Sequence, residues 1–389
     1  MPHPPVALWG RVLTDGRELP PTRVEVADGR IAAVEPADHP LPGDVTVEDG
    51  WLAPGLIDLQ LNGAAGLDLT SAESPALALE GVARTLASHG ITAFCPTIVS
   101  SPESVIVDRI RTYAARRIPR AAASLGAHVE GPFIDPRHRG VHDPRLLRLP
   151  SSEEIVRWLG AGRPALVTLA PELPGACEAI AQLVAAGVVV SLGHSGADAE
   201  AGQAGLAAGA RFGTHLFNGM PPLHHRQPGL VGALLASQAT LGVIADGVHL
   251  HPLTLDLVVG RAGPRRVALV SDALAAAAAP PGESGLGEQT VISDGHSVRR
   301  ADGTLAGSAM LLDGCLRQAR RWLAGLSPAE VICMATTTPA DLLGLHHKGR
   351  IATGADADLI VLNDDWTVRL TLVGGEVAGP APTPVVTHG

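Results

Sequence analysis

The sequence predicts an α/β protein: a (β/α)8 TIM barrel with a small β-sandwich domain built from both chain ends. Short apolar runs alternate with alanine-rich helical stretches between about residues 52 and 345, a pattern typical of a parallel sheet. Polar residues recur where these apolar runs end, which is where such a barrel carries its active site. An open doubly wound sheet is the alternative, but no Gly-rich nucleotide motif opens a helix.

Both chain ends read as short strands separated by tight turns. Asp15-Gly16 and Asp28-Gly29 lie between apolar runs, which is a strong hairpin signal, and Gly374-Gly375 forms a similar turn near the other end. We therefore predict that residues 1–51 and 346–378 form one β-sandwich domain beside a barrel domain of residues 52–345. The Pro-rich residues 379–389 are predicted to be a tail.

The barrel domain contains several recognisable elements. Ser74 before Pro75 marks a helix start, as N-cap and first helical position. Helices are expected over residues 75–89 and 177–186. Buried strands are expected over residues 55–61, 91–95, 125–130, 188–194, 242–246 and 267–272.

Composition narrows the class of protein. Hydrophobic residues make up 46% of 389 residues, enough for a large core, yet no run of about 18 uncharged apolar residues predicts a membrane helix. A net charge of −10 and only 3% aromatic residues argue against a nucleic-acid partner. The N-terminus lacks the basic and apolar regions of a signal peptide, and the four cysteines form no CxxC pair. We therefore expect a cytoplasmic protein without disulfides or a thiolate zinc site.

Three candidate metal ligands end separate apolar runs. Glu130, His194 and His215 each come at the close of such a run and are followed by a glycine or a turn. A single strand-end histidine is more often structural, but a barrel would direct all three side chains to one point. One carboxylate and two imidazoles suit a catalytic divalent metal that keeps a position open for water.

Other polar residues leave two interpretations open. Asp272 can be an acid/base beside such a metal, or the N-cap of a helix over residues 273–279. His142 and His249 can donate hydrogen bonds to a substrate, or lie exposed in loops. Arg226 ends a short basic cluster that is either an anion clamp or a solvated loop. His128 precedes Glu130 by two residues and is expected to pack or to support the ligands.

The order of several motifs is specific to one group of enzymes. They include Glu-Gly-Pro-Phe at 130–133, Gly-His-Ser at 193–195, Thr-His-Leu-Phe-Asn-Gly-Met-Pro at 214–221, Ser-Asp-Ala at 271–273 and Leu-Ala-Gly-Ser at 305–308. With these motifs, the chain resembles, over nearly its whole length, the N-acetylglucosamine-6-phosphate deacetylases of the amidohydrolase superfamily. The resemblance implies a homodimeric hydrolase that converts N-acetyl-D-glucosamine 6-phosphate to D-glucosamine 6-phosphate and acetate.

The resemblance also implies residue roles. It makes Glu130, His194 and His215 the metal ligands, Asp272 the acid/base and His142 the group that polarises the acetyl carbonyl. The residues it implies for binding the amino-sugar phosphate are Val141, Asn218, Gly219, Arg226, His249, Leu305, Ala306 and Gly307, with the neighbouring subunit able to complete the phosphate site.

One departure from the broader superfamily concerns the metal count. Many amidohydrolases carry His-x-His after the first strand for a second metal, whereas this chain has Gln60 and Asn62, which are poorer transition-metal ligands. We therefore predict one divalent metal per subunit, zinc first, with iron, manganese or cobalt as alternatives. The alternative functions are deacetylation of the galacto epimer, another amidohydrolase reaction, or sugar-phosphate sensing without catalysis.

Overall fold

The computed structural model describes residues 6–379, whose strands form three larger sheets and one two-stranded sheet. The strands are β1 Val6–Thr14, β2 Arg17–Ala27, β3 Arg30–Pro36, β4 Val45–Pro54, β5 Leu56–Leu61, β6 Gly63–Ala64, β7 Leu67–Asp68, β8 Ile91–Ile98, β9 Ala123–Ser124, β10 His128–Glu130, β11 Leu166–Leu169, β12 Val189–Leu192, β13 Phe212–Gly213, β14 Thr240–Val243, β15 Val267–Leu269, β16 Gly282–Leu286, β17 Gln289–Ser293, β18 Ser297–Arg299, β19 Leu305–Ser308, β20 Leu359–Leu362, β21 Val368–Val373 and β22 Glu376–Val377. The helices are α1 Pro75–Ser88, α2 Glu103–Thr112, α3 Ser152–Ala161, α4 Ala176–Ala185, α5 Ala199–Ala207, α6 Gly229–Ala236, α7 Pro252–Ala262, α8 Leu312–Trp322, α9 Pro328–Cys333 and α10 Thr337–Leu342.

Eight parallel strands form a nearly closed barrel in the order β5, β8, β10, β11, β12, β13, β14 and β15. The first and last strands meet beyond their C-terminal ends. There the Asn62 N–H donates to the Ala273 carbonyl at 2.8 Å, and the Asp272 N–H donates to the Gln60 carbonyl at 3.0 Å. All eight residues of β8 are buried, as expected for a parallel strand covered on both faces. The predicted barrel is confirmed.

Helix α1 shows how a helix of the barrel covers the sheet. Pro75 occupies its first turn and Ser74 its N-cap position, as predicted, although the Ser74 side chain makes no capping hydrogen bond. One face of α1 is buried through residues spaced three and four apart, which is the stripe expected of an amphipathic helix. These residues are Ala78, Leu79, Val82, Ala83, Leu86 and Ala87.

Strands from both chain ends form a separate seven-stranded sheet in the order β22, β21, β20, β4, β1, β2 and β3. Asp15 and Gly16 both have positive φ, and so do Asp28 and Gly29, the backbone shape of a tight hairpin turn whose twist matches the strands. The predicted pairing of the two chain ends is therefore confirmed. Except for Gly379, the predicted tail of residues 379–389 lies outside the described residues.

A four-stranded antiparallel sheet, β16 to β19, was not expected from the sequence. A bridge between Ala273 and Ser308 connects its last strand to the rim of the barrel. Residues 273–279 form a bridge and turns instead of a helix, so the N-cap interpretation of Asp272 is wrong. Across residues 6–379, helices with the length and apolar character needed to span a bilayer do not occur.

Candidate active site

Glu130, His194 and His215 lie together at the C-terminal rim of the barrel, as their places in the sequence predict. Glu130 ends β10, His194 follows β12 and His215 follows β13, so the parallel strands bring their side chains to one point. Glu130 Oε1 is 3.3 Å from His194 Nε2 and 3.1 Å from His215 Nε2, and the two imidazole nitrogens are 3.0 Å apart. All three side chains are buried.

The chemistry of this donor set fits a divalent cation. His194 Nδ1 lies 3.0 Å from the His138 carbonyl, which can only accept, so the neutral ring carries its proton on Nδ1. The lone pair on His194 Nε2 therefore points towards the other two ligand atoms. A carboxylate oxygen and an imidazole lone pair that converge at this distance in a buried site are stabilised by a cation between them.

Gln60 and Asn62 each donate a hydrogen bond to one carboxylate of the site. Gln60 Nε2 donates to Glu130 Oε1 at 2.7 Å, and Thr214 Oγ1 donates to Gln60 Oε1 at 2.5 Å. Asn62 Nδ2 donates to Asp272 Oδ1 at 2.8 Å. Because a carboxylate can only accept, these contacts define which end of each amide faces it. Each amide nitrogen therefore has a carboxylate partner, and Gln60 Oε1 also has Thr214, whereas the buried Asn62 Oδ1 has no partner among the described residues.

Asp272 lies beside the three candidate ligands in the same cavity. It is buried and follows β15, the last strand of the barrel. Burial, assisted by the negative charge of Glu130, raises the pKa of Asp272 to about 7. A carboxyl group with a pKa near neutrality can both take up and release a proton under ordinary conditions, which suits an acid/base.

His142 faces the cluster as a neutral hydrogen-bond donor. The backbone N–H of Ser100 donates to His142 Nδ1 at 3.2 Å, so the proton of the neutral ring is on Nε2. That Nε2 lies 3.9 Å from Glu130 Oε2, on the side of the cluster. Burial, together with the neighbouring His194, lowers the pKa of His142 to about 3. The N–H at Nε2 is therefore available to a substrate oxygen.

Two other histidines are also buried in hydrogen-bonded positions. His128 Nδ1 lies 3.0 Å from the Leu59 carbonyl and His128 Nε2 lies 2.7 Å from Thr168 Oγ1, so the ring supports the barrel and does not join the ligand cluster. His249 Nδ1 donates to Asp246 Oδ2 at 2.7 Å, which leaves Nε2 as the acceptor of the neutral ring. The alternative interpretation of His249 as an exposed loop residue is wrong, because its side chain is buried.

A cavity of about 260 Å³ opens at this rim. Most of the residues predicted for substrate binding line it, and Leu286, Val99 and Thr304 also contribute. The predicted residues that line the cavity are Val141, His142, Asn218, Gly219, His249, Leu305 and Ala306. Gly307 lies just behind this wall, where a Cβ atom would come within 2.8 Å of the Asp272 carbonyl oxygen.

Arg226 is not part of the cavity wall. It is exposed, its guanidinium lies 2.8 Å from His225 Nε2, and it borders a different surface depression together with Asp198 and His224. Among the described residues that line the cavity, none is Lys or Arg. One protomer therefore brings together the candidate metal ligands, the predicted acid/base and most of the residues predicted to bind the sugar, but, among the described residues of the cavity wall, no Lys or Arg for a phosphate group.

Comparison with known proteins agrees with this geometry. The family model described as Amidohydrolase family matches residues 51–378. The chain belongs to the amidohydrolase family. A curated relative, the N-acetylglucosamine-6-phosphate deacetylase of Danio rerio, is 40% identical over 358 residues, covering 87% of this chain and 86% of the relative.

Two further comparisons extend this family assignment. The N-acetylgalactosamine-6-phosphate deacetylase of Escherichia coli O157:H7 is 37% identical, covering 95% of this chain and 97% of that protein. An N-acetyl-D-glucosamine-6-phosphate deacetylase of Mycobacterium smegmatis, solved in complex with N-acetyl-D-glucosamine-6-phosphate, aligns with a TM-score of 0.90 at 32% identity. That alignment covers 97% of this chain and all of that one.

Several residues of this amidohydrolase site were not identified from the sequence. Ser100, which holds His142, follows the end of β8, a position that strand-end reasoning could have found. Val99, which precedes Ser100, is apolar and therefore could not be found by looking for polar residues at strand ends. Leu286 and Thr304 come from the four-stranded sheet and its border, whose strands were not predicted.

Proposed function

We propose that the protein hydrolyses N-acetyl-D-glucosamine 6-phosphate to D-glucosamine 6-phosphate and acetate. The observation that carries this proposal is the common cavity of the Glu130–His194–His215 cluster, Asp272 and the Nε2–H of His142. Amide hydrolysis needs an activated water, a proton donor for the leaving amine and stabilisation of an oxyanion, and this set can supply each of them. Curated relatives about 40% identical carry this activity in their names.

Glu130, His194 and His215 would hold the metal through Oε1 and the two Nε2 atoms. When bound there, a divalent cation would supply Lewis-acid chemistry and make water more acidic. Zinc is the proposed ion, because one carboxylate and two imidazoles without a thiolate are common zinc ligands. Iron, manganese and cobalt are the alternatives, because these divalent ions also bind nitrogen and oxygen ligands.

Asp272 would accept a proton from the attacking water and return it to the sugar nitrogen. Its Oδ1 accepts a hydrogen bond from Asn62, so Oδ2 is the oxygen proposed to carry the proton. The Nε2–H of His142 would donate to the acetyl carbonyl oxygen and to the oxyanion that develops from it. Such a donor costs no reorganisation during the reaction, because Ser100 already defines the tautomer and the orientation of the ring.

The sugar would lie against the polar part of the cavity, formed by Asn218, Gly219 and His249, with the Leu305–Ala306–Gly307 segment behind it. When its ring carries a single proton, His249 offers Nε2 as an acceptor for a sugar hydroxyl, because its Nδ1–H is engaged by Asp246. The phosphate needs a cation, and we propose a homodimer in which Arg226, together with the neighbouring subunit, completes that part of the site. We also propose a cytoplasmic location for the enzyme.

Deacetylation of N-acetyl-D-galactosamine 6-phosphate is the second candidate function. It is favoured by the Escherichia coli O157:H7 relative, which has that activity in its name and covers 95% of this chain. The two substrates differ only in the configuration at C4, so the chemistry of the metal cluster, Asp272 and His142 would be the same for both.

Acetate release tests these proposals. The metal-reconstituted enzyme is given N-acetylglucosamine and N-acetylgalactosamine, each with and without a 6-phosphate. We expect the phosphorylated gluco sugar to have the highest kcat/KM. Equal rates without phosphate would overturn the proposed substrate, and a higher rate on the phosphorylated galacto sugar would replace it with the second candidate.

A further inference from the structure

The cavity has an apolar end beside His142. Val99, Val141 and Leu286 line it there, and all three belong to one buried apolar cluster. The tip of the hairpin between β16 and β17 packs directly onto this end, since a Cβ atom on Gly287 would lie 3.2 Å from Val99 Cγ2. Three aliphatic side chains beside a polar catalytic cluster form a site for a small apolar group.

The apolar end lies across the barrel from Asn218 and Gly219 of the proposed sugar site. Val99 follows β8, the second strand of the eight-stranded ring, whereas Asn218 follows β13, the sixth. The second and sixth strands of a ring of eight face each other. A substrate whose sugar contacts Asn218 and Gly219 therefore directs its opposite end towards Val99 and Leu286.

We propose that this apolar end is the acyl pocket, and that Leu286 and Val99 determine which acyl chain the enzyme accepts. The inference rests on the proposed function. The carbonyl carbon of the substrate amide carries an oxygen, a nitrogen and a methyl group. In the proposed reaction the oxygen faces His142 and the nitrogen faces Asp272. Because the nitrogen carries the sugar towards the polar end of the cavity, the methyl group points towards the apolar end.

The pocket has little spare space behind its wall. A second cavity of only about 10 Å³ lies next to it and shares Val99, Val141, His142 and Leu286 with the main cavity. Such a volume holds about one water molecule. The Gly287 N–H donates to Asp68 Oδ2 at 2.9 Å, which holds the hairpin tip and therefore Leu286 in place. We therefore expect an acyl chain one carbon longer than acetyl to meet this wall.

The test compares N-acetyl, N-propionyl and N-butyryl glucosamine 6-phosphate as substrates of the metal-loaded enzyme. The wild type should lose at least about 10-fold in kcat/KM from acetyl to propionyl, a typical penalty for one misfitting methylene. Leu286→Ala removes the Cγ and both Cδ atoms, and should raise the propionyl-to-acetyl ratio by about 10-fold. Val99→Ala removes two methyl groups from the same wall, on the side of the barrel, and should also raise the propionyl-to-acetyl ratio.

Val291→Ala is the matched control. Val291 is fully buried in the same apolar cluster but is not among the residues that line the cavity, so its truncation should leave the ratio unchanged. If the wild type releases acetate but the propionyl-to-acetyl ratio is unchanged in both Leu286→Ala and Val99→Ala, the inference is overturned and the proposed function is not. An equal rise of the ratio in Val291→Ala would also overturn it, because loosening of the cluster would then explain the effect. No acetate release by the wild type would overturn the proposed function and this inference together.

Discussion

Replacement of Gln60 by Leu should weaken metal binding without removing any proposed ligand. Gln60 Nε2 donates to Glu130 Oε1 at 2.7 Å. This carboxylate oxygen is the one that faces both candidate histidine ligands. The Gln60 amide is itself oriented by Thr214, which precedes the candidate ligand His215 in the chain. Leucine has a similar size but no donor, so Glu130 loses one of the contacts that hold it towards the metal.

The size of the effect follows from this one hydrogen bond. A hydrogen bond to a charged group contributes about 1.5–3 kcal/mol. At 1.4 kcal/mol per factor of ten, this corresponds to a metal affinity lower by about 10- to 100-fold, the range seen when groups that support metal ligands are removed. Gln60 and Glu130 are both buried, so water cannot replace the lost donor easily.

The assay is competition for zinc against a chromophoric chelator, which reads affinity independently of turnover. Asn62→Leu is the matched control. It removes a buried amide from the same part of the barrel, but that amide donates to Asp272 and not to a proposed metal ligand. We expect Asn62→Leu to bind zinc like the wild type and to lose turnover. Equal zinc affinity in Gln60→Leu and the wild type would refute the reasoning.

Three further predictions concern the reaction. Asp272→Asn should lower kcat by about 10³-fold, because general acid–base catalysis contributes on this scale. The metal content of this variant should stay near the wild-type level. Loss of metal together with activity would instead mean that Asp272 is a ligand or is needed for folding. Burial and the charge of Glu130 raise the pKa of Asp272 to about 7, whereas a bound cation would lower this pKa. Because Asp272 must be deprotonated to accept a proton from water, kcat/KM should fall as the pH drops below an apparent pKa of about 7 or less. His142→Gln should show the same fall of kcat/KM at low pH, since burial lowers the pKa of His142 to about 3. If this fall disappeared in His142→Gln, the titrating group would be His142 and not Asp272. Arg226→Ala should raise KM for the phosphorylated sugar by about 10-fold and leave the unphosphorylated sugar unaffected, whereas equal effects on both would show that Arg226 does not bind phosphate.

The barrel was predictable where its strands are marked by apolar runs, as for β8 and β12. Strand β13 has only two residues, too short to show any period, and β11 was not recognised. Strand β16 is largely exposed and ends in a single buried residue, Leu286, so its sequence has no apolar alternation to detect. The four-stranded sheet therefore depends on contacts with the barrel that local patterns do not contain.

The candidate site was predictable to the extent that its residues end strands. Glu130, His194 and His215 carry that local signal, and the parallel barrel accounts for their convergence. The hydrogen bond from Gln60 to Glu130 spans 70 positions of the chain, so the residue could be identified as a poor metal ligand but its partner could not. Arg226 matched a motif, yet in one protomer it lies outside the cavity. Its proposed phosphate contact depends on a second subunit, which the geometry of a single chain does not contain.

The most direct test of the account is a titration of the metal-free enzyme with zinc while acetate release from N-acetyl-D-glucosamine 6-phosphate is followed. Because one cluster of Glu130, His194 and His215 is proposed to hold a single ion, activity should rise in proportion to added metal and level off at one equivalent per subunit. A plateau at two equivalents, or saturation with metal without acetate release, would contradict the proposed single-metal deacetylase.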